Sequence, residues 1–174
     1  MDIANQLPNA IDDLLDKKYT ADKTLNEAVR IVGETLGTDR CFLYVRQPDQ
    51  ERGRIAFIWR KDGQIDKLFQ PDWGDDTTDL PQRDPLIRAG LNMEPSRYVD
   101  DIKAAGPGVL NEEFEHKTFG HRALVHAHIQ KDGQLWGILQ PCLFEQTHHW
   151  TDDEKTGMEA ILPKLQPAIA EFVG

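Results

Sequence analysis

Six histidines and two cysteines are the side chains of this chain with most chemistry to offer: His116, His121, His126, His128, His148 and His149, with Cys41 and Cys142. His126 and His128 stand two apart in a run of strand-forming residues. That spacing puts both imidazoles on one face, where two rings can share a metal. No cysteine or third histidine lies at a matching offset, so the expectation is a hydrogen-bonded pair beside Gly137, which leaves room, and no metal site. His148-His149 precede a helix start and read as solvated. Cys41 and Cys142 each sit among apolar neighbours, where a thiol is ordinarily inert packing. Two cysteines so far apart form no disulfide framework and fit a reducing compartment. Asp75, Asp76 and Asp79 offer oxygen ligands but lack the spacing of a calcium loop; a solvated loop is expected.

The element that must position the histidines is a hairpin. Arg122-Ala-Leu-Val-His-Ala-His-Ile-Gln130 and Leu135-Trp-Gly-Ile-Leu-Gln-Pro-Cys-Leu-Phe144 flank Asp132-Gly133, a pair suited to the positive φ of a tight turn. A turn centred there makes facing residue numbers sum to 265. One face then carries Ala123, Val125, Ala127, Ile129, Trp136, Ile138, Gln140 and Cys142. The other carries Leu124, His126, His128, Leu135, Gly137 and Leu139. Neither face reads as solvated, so both are expected to be covered.

Around this hairpin, Leu7, Ile11, Leu14 and Leu15 keep helical spacing, with Pro8 placed in a first turn. Leu25, Ala28, Val29, Val32 and Leu36 form a second stripe that Gly37 ends. Cys41–Val45 and Ile55–Trp59 read as strands, with a third over Ile65–Phe69. Gln70–Gln82 is irregular, and long loops in compact domains are disproportionately functional. Short helices are expected after Asp84-Pro85 and over Asn111–Lys117, and a short strand over Tyr98–Ile102. Thr151-Asp-Asp-Glu154 is a capping box opening a last helix, in which Pro163 and Pro167 predict a bend or break. The fold class is α+β: a mostly antiparallel sheet, with the long helices at the two ends of the chain.

The 174 residues amount to one domain. A formal net charge of −10 excludes the basic surface that nucleic acid requires. No apolar run approaches the roughly 18 residues of a membrane span. The first residues lack a signal-peptide pattern, and a cytoplasmic location is expected.

Leu36-Gly-Thr-Asp-Arg40 before Cys41-Phe-Leu-Tyr44, Tyr98-Val-Asp-Asp-Ile102, and Gln134-Leu-Trp-Gly-Ile-Leu139 followed by Trp150-Thr-Asp-Asp-Glu154 together resemble a GAF domain, most closely the phytochrome and cyanobacteriochrome branch. The likeness covers residues 20–172 and includes the tryptophan-to-tryptophan spacing. It implies a GAF-like domain over 20–174 behind an N-terminal helical segment, 1–19. The expected form is a central antiparallel sheet, with the terminal helices on one face and loops and short helices over the other. It also implies a non-catalytic sensory or regulatory module, binding a small molecule non-covalently or serving as an interaction module. Such a module would form a homodimer through the terminal helices and answer to a protein signalling partner.

The branch's chromophore-attaching Cys-His pair falls here on about Asn111 and Glu112, and its last-strand histidine on Cys142. A thioether needs a thiol, so a bilin photoreceptor is the lesser alternative. Another GAF-fold branch reduces free methionine sulfoxide with a thiolate and a resolving thiol, and such an enzyme is the first alternative, resting on Cys41 and Cys142. The resemblance places the pocket on the Cys142 face. The expected lining is Trp73, Ala123, Val125, Ala127, Trp136, Ile138, Gln140 and Cys142. The sequence names no cofactor.

Overall fold

The computed structural model describes residues 2–174. Two long helices come first, α1 (Ile3–Asp16) and α2 (Ala21–Thr35). Strands β1 (Arg40–Gln47), β2 (Arg52–Arg60) and β3 (Gly74–Asp75) follow. Then come short helices α3 (Leu80–Arg83) and α4 (Pro85–Leu91), strand β4 (Arg97–Val99) and helix α5 (Glu112–Thr118). The chain ends with strands β5 (Ala123–Lys131) and β6 (Gln134–Leu143) and helix α6 (Asp152–Val173). The strands form one antiparallel sheet in the order β3-β2-β1-β6-β5-β4.

The sheet is covered on both faces, as the hairpin composition predicts. On one side α1, α2 and α6 bury Leu7, Ile11, Leu25, Val29, Ile161 and Leu165 against Leu43, Val125, Ala127, Ile129 and Leu139. The segment before residue 20 shares this core through Leu7, Ile11 and Leu14. On the other side, α4 and the loops pack over Leu86, Val99, Ile102, Leu124 and Cys142, and over Ile87, Leu135 and Ile138.

Several local expectations need correction. Helix α1 begins at Ile3, so Pro8 lies in its second turn rather than its first. Residues 65–69 are not a strand. Leu68 holds a left-handed φ of 57°, which ladder pairing does not allow, and β2 is extended instead by β3. Helix α6 runs unbroken through Pro163 and Pro167. Four apart on the exposed side, both prolines leave their missing bonds where water can satisfy the freed carbonyls.

The capping box is present: Glu154 N donates to Thr151 Oγ1 and Thr151 N to the Glu154 carboxylate. Thr151→Ala should therefore cost about 1 kcal/mol, measured as a shift in the urea midpoint without change of slope.

The hairpin is where sequence and structure part most usefully. Asp132 and Gly133 both have positive φ, as the turn requires. Lys131↔Gln134 and Gln130↔Leu135 keep the expected register. Ile129, however, pairs with Gly137, so Trp136 is an extra, bulged residue. Beyond the bulge the facing numbers sum to 266, and every later β6 side chain changes sides relative to β5.

Candidate functional site

The bulge redistributes the expected pocket residues. Val125 and Ala127 lie in the helix-side core with Leu139 and Ile129, and Ala123 shares their face by strand alternation. Trp136 and Trp73 also pack against that helix-side core. Trp73 stands at the sheet edge, with the guanidinium groups of Arg52 and Arg54 over its ring at 5.6 and 5.2 Å. Ile138, Gln140 and Cys142 instead face the loops, alongside Leu124, His126 and His128. Of the eight residues, Ile138 and Gln140 line a cavity on the loop side. Cys142 packs behind it with Leu86, Val99 and Leu110.

That cavity measures about 320 Å³ and lies between the sheet and the connections over it. Its sheet wall comprises Phe42 and Tyr44 of β1, Ile55 of β2, His126 of β5, and Ile138 and Gln140 of β6. Leu68, Gln70, Asp84, Ile87, Phe114 and Phe119 close the other side. Phe42 stacks on Phe119 at 5.6 Å, and Phe119 on His121 at 5.1 Å, making an aromatic slab along one edge. Larger depressions, such as that edged by Lys61, Asp62 and Asp66, are more open and more polar. A ligand site needs enclosure and apolar wall, which selects the smaller cavity.

Three buried constructions hold the loops in place. Asp76 is 0 % exposed, which corrects its reading as a solvated loop acid. Arg46 donates to both its oxygens at 2.6 and 2.7 Å, and the Tyr44 hydroxyl donates at 2.8 Å. This clamps the loop before α3 to β1. Its neighbour Asp75 stays at the surface and accepts from Thr77 N and Thr78 N, shaping the turn.

Arg40 is wholly buried, and donates to the carbonyls of Asp66 and Phe119 at 3.0 Å each. One guanidinium thereby ties down both loops that frame the cavity. Its ring neighbours are Phe42 and Phe144, at 5.6 and 4.8 Å, and its Nε has no partner among the described residues. Asp84 caps α4 by accepting from Leu86 N at 3.0 Å. Burial, then the nearby Glu115 charge, pushes its carboxyl up to about 7. Burial alone pushes Glu115 up to about 8, and its Oε2 meets His121 Nε2 at 2.9 Å.

His126 and His128 are both buried and bonded to each other, Nδ1 to Nε2 at 2.8 Å. The room beside them comes from Gly90 of α4, where a Cβ would stand 3.3 Å from the His128 ring. Gly137, which the sequence suggested for this role, faces Ile169 on the helix side. Burial lowers the pKa of His126 well below its ordinary value, and that of His128 as well. Both rings are therefore neutral near pH 7. His148 and His149 lie outside this site, paired with Glu154 and Asp100.

The six-stranded antiparallel sheet, the helices on one face and the cavity under loops on the other can now be set beside known proteins. The pattern of the GAF domain matches residues 20–163. The chain belongs to the GAF domain family. No curated protein matches it.

Solved structures share the fold at low identity. The phycoerythrobilin-bound GAF domain of a cyanobacterial phytochrome is 19% identical, with a TM-score of 0.73, over 97% of this chain and 95% of that one. A GAF domain from a phosphoenolpyruvate-protein phosphotransferase of Coxiella burnetii is 16% identical, with a TM-score of 0.72, over 96% and 92%. The corresponding Acinetobacter domain is 10% identical, with a TM-score of 0.71, over 98% and 94%. The α+β, GAF-like assignment made from residues 36–44 and 134–154 therefore stands. Among the described residues, no helix is long and apolar enough to cross a membrane.

Proposed function

We propose that this GAF domain is a non-catalytic sensory or regulatory module that takes a small molecule, without covalent attachment, in the cavity lined by Phe42, Tyr44, His126, Ile138 and Gln140. The observation that carries this reading is a half-enclosed, largely apolar cavity with a buried amide in its wall: Gln140 Nε2 has no partner among the described residues. A wall that served only as packing would have been filled by apolar atoms.

The route to an output follows from strand alternation. Ile138 and Gln140 face the cavity, while Gly137 and Leu139, which alternate with them along β6, face the helices. A Cβ on Gly137 would stand 3.0 Å from Ile169 of α6. Small shifts of β6 are thus felt directly by the terminal helix. A ligand moves this equilibrium only if it binds two arrangements with different affinity.

The proposal includes a homodimer through α1 and α6 that hands the signal to another protein in the cytoplasm. The outward faces of these helices carry Asn5, Asn9, Asp12, Asp13, Glu159 and Glu171, so such a dimer would be weak.

The alternatives find less support. Cys41 and Cys142 are fully buried, one in the helix-side core and one behind the loops. Burial pushes the Cys41 thiol well above its ordinary range, where little thiolate forms. A thiol reductase of methionine sulfoxide would need the reverse. At the bilin attachment position, Asn111 caps α5 by accepting from Phe114 N and offers no nucleophilic sulfur.

Native mass spectrometry of the protein tests the proposal. The expected result is a retained small molecule, displaced on denaturation, with a dimer appearing as concentration rises. Protein that carries no ligand and is not stabilised to heat by any compound of a small-molecule library would overturn the sensor reading. A monomer at every concentration would remove the dimer.

A further inference from the structure

The two histidines behind the cavity form a chain whose hydrogens are fixed by chemistry. At one end His128 Nδ1 lies 2.9 Å from the carbonyl oxygen of Glu94. A carbonyl only accepts, so His128 carries its hydrogen on Nδ1. The ring is neutral, so its Nε2 is a bare lone pair. His126 Nδ1, 2.8 Å from that lone pair, must donate to it. His126 is neutral too, which leaves its own Nε2 as a hydrogen-bond acceptor on a ring that lines the cavity. The backbone of residue 94 thereby dictates what the cavity wall asks of an occupant.

The next polar group on that wall has the opposite need. The pairs Leu124↔Cys142 and His128↔Ile138 place His126 opposite Gln140 across the strands, with side chains about 5 Å apart at Cβ. Gln140 is 3 % exposed, and its amide nitrogen is closed off from solvent with no partner among the described residues. An acceptor and an unpaired donor thus stand side by side, beside the Phe42–Phe119 stack. The charged groups on the wall have their own partners: Asp84 Oδ1 caps α4 and Arg83 pairs with Asp79 at the rim.

We propose that the cavity selects an uncharged, flat heterocycle of one or two rings with an amide-type edge, whose N–H donates to His126 Nε2 and whose neighbouring carbonyl accepts from Gln140 Nε2 once that amide turns toward the cavity. This deepens the ligand-binding reading above and rests on it. The volume, about 320 Å³, is at the small end for ligand sites and suits such a molecule.

The test uses the whole chain, labelled with nitrogen-15, and three probes of similar size: 2-quinolinone, its N-methyl derivative and 2-naphthoate. The first is expected to bind about tenfold or more tighter than the second, a gap of about 1.4 kcal/mol, and tighter than the third. Proton–nitrogen correlation spectra should show His126 as the Nδ1–H tautomer, with the Nε2 resonance moving when 2-quinolinone binds. His126→Phe and Gln140→Leu, each first shown to melt cooperatively, should erase the preference for the N–H compound.

Equal binding of the two quinolinones, tighter binding of the naphthoate, or an Nε2–H tautomer would overturn the amide-edge inference while leaving a ligand-binding cavity. Absence of any probe-induced shift at the cavity residues would count against both readings. The first comparison needs no variant, so it decides the matter even where a substitution prevents folding.

Discussion

Asp76→Asn is expected to destabilise the domain by about 3–5 kcal/mol, the range for breaking a buried ion pair from one side. The Arg46 side chain is 5 % exposed and that of Asp76 0 %. The guanidinium uses two nitrogens on the carboxylate and donates a third bond to Leu135 O at 3.0 Å. Asparagine keeps the shape but offers one acceptor where two were used, and its amide hydrogens meet those of Arg46. The cation then remains buried without a counter-charge.

The neighbouring Asp79→Asn removes a partner from the exposed Arg83 and should change stability by no more than about 0.5 kcal/mol. Urea titrations of the two variants separate a buried clamp from a surface pair. Equal midpoints would mean that the Arg46–Asp76 contact contributes nothing. Replacing both partners, as Arg46→Met with Asp76→Leu, should recover most of the loss, because no charge is left stranded. The same clamp holds the loop before α3 against Tyr44, a cavity residue. Asp76→Asn should therefore also weaken probe binding by more than Asp79→Asn does.

How much of this was legible in the sequence depends on the range of the interaction. Signals carried within a few residues were readable: the Asp132-Gly133 turn, the Thr151–Glu154 box and the stripe along α2. Asp76 was not, because the group that makes it structural is Arg46, 30 residues upstream. A run of acids with no visible partner reads as solvated.

The cavity wall was legible in kind but not in membership. One hairpin face was expected to line a pocket, and a cavity lies against Ile138 and Gln140 of β6. A single extra residue at Trp136 then moved Ala123, Val125 and Ala127 to the opposite side from Ile138 and Gln140. Nothing about Trp136 marks it as bulged, since a large aromatic is also a good ordinary strand residue. The histidine pair was visible from its spacing. Its orientation was not, because the tautomers depend on the carbonyl of Glu94, which belongs to a different loop.

Stability is expected to fall as pH rises from about 6.5 to about 8, opposite to the trend set by ordinary salt-bridged carboxylates. Asp84 and Glu115 are buried, with carboxyls raised to about 7 and about 8. Unfolded carboxyls release their protons near pH 4, as judged from model values of about 3.9 and 4.3. From there upward the native state holds more protons than the unfolded one. The stabilisation is fully present below the unfolded values and is lost as pH climbs through the native ones.

His126 and His128 work in the other direction. Their native values lie below the unfolded value of about 6.5, so they contribute stability above that pH and lose it as pH falls. Below about pH 6.5 the two imidazoles oppose the two carboxyls, so the decline is offset there and shows most clearly above it. Above about 6.5 only the carboxyls remain. At about 1.4 kcal/mol per pH unit for each, their remaining titration amounts to roughly 2 kcal/mol. In a chain of this size that is a drop in Tm of about 4–8 °C.

Glu115→Gln keeps a polar group within hydrogen-bond reach of His121 Nε2 but has no proton to lose. It should therefore flatten most of the decline when Tm is followed across this range. An unchanged slope in that variant, or a wild-type Tm that rises from about pH 6.5 to 8, would mean that Glu115 is not held protonated behind the cavity.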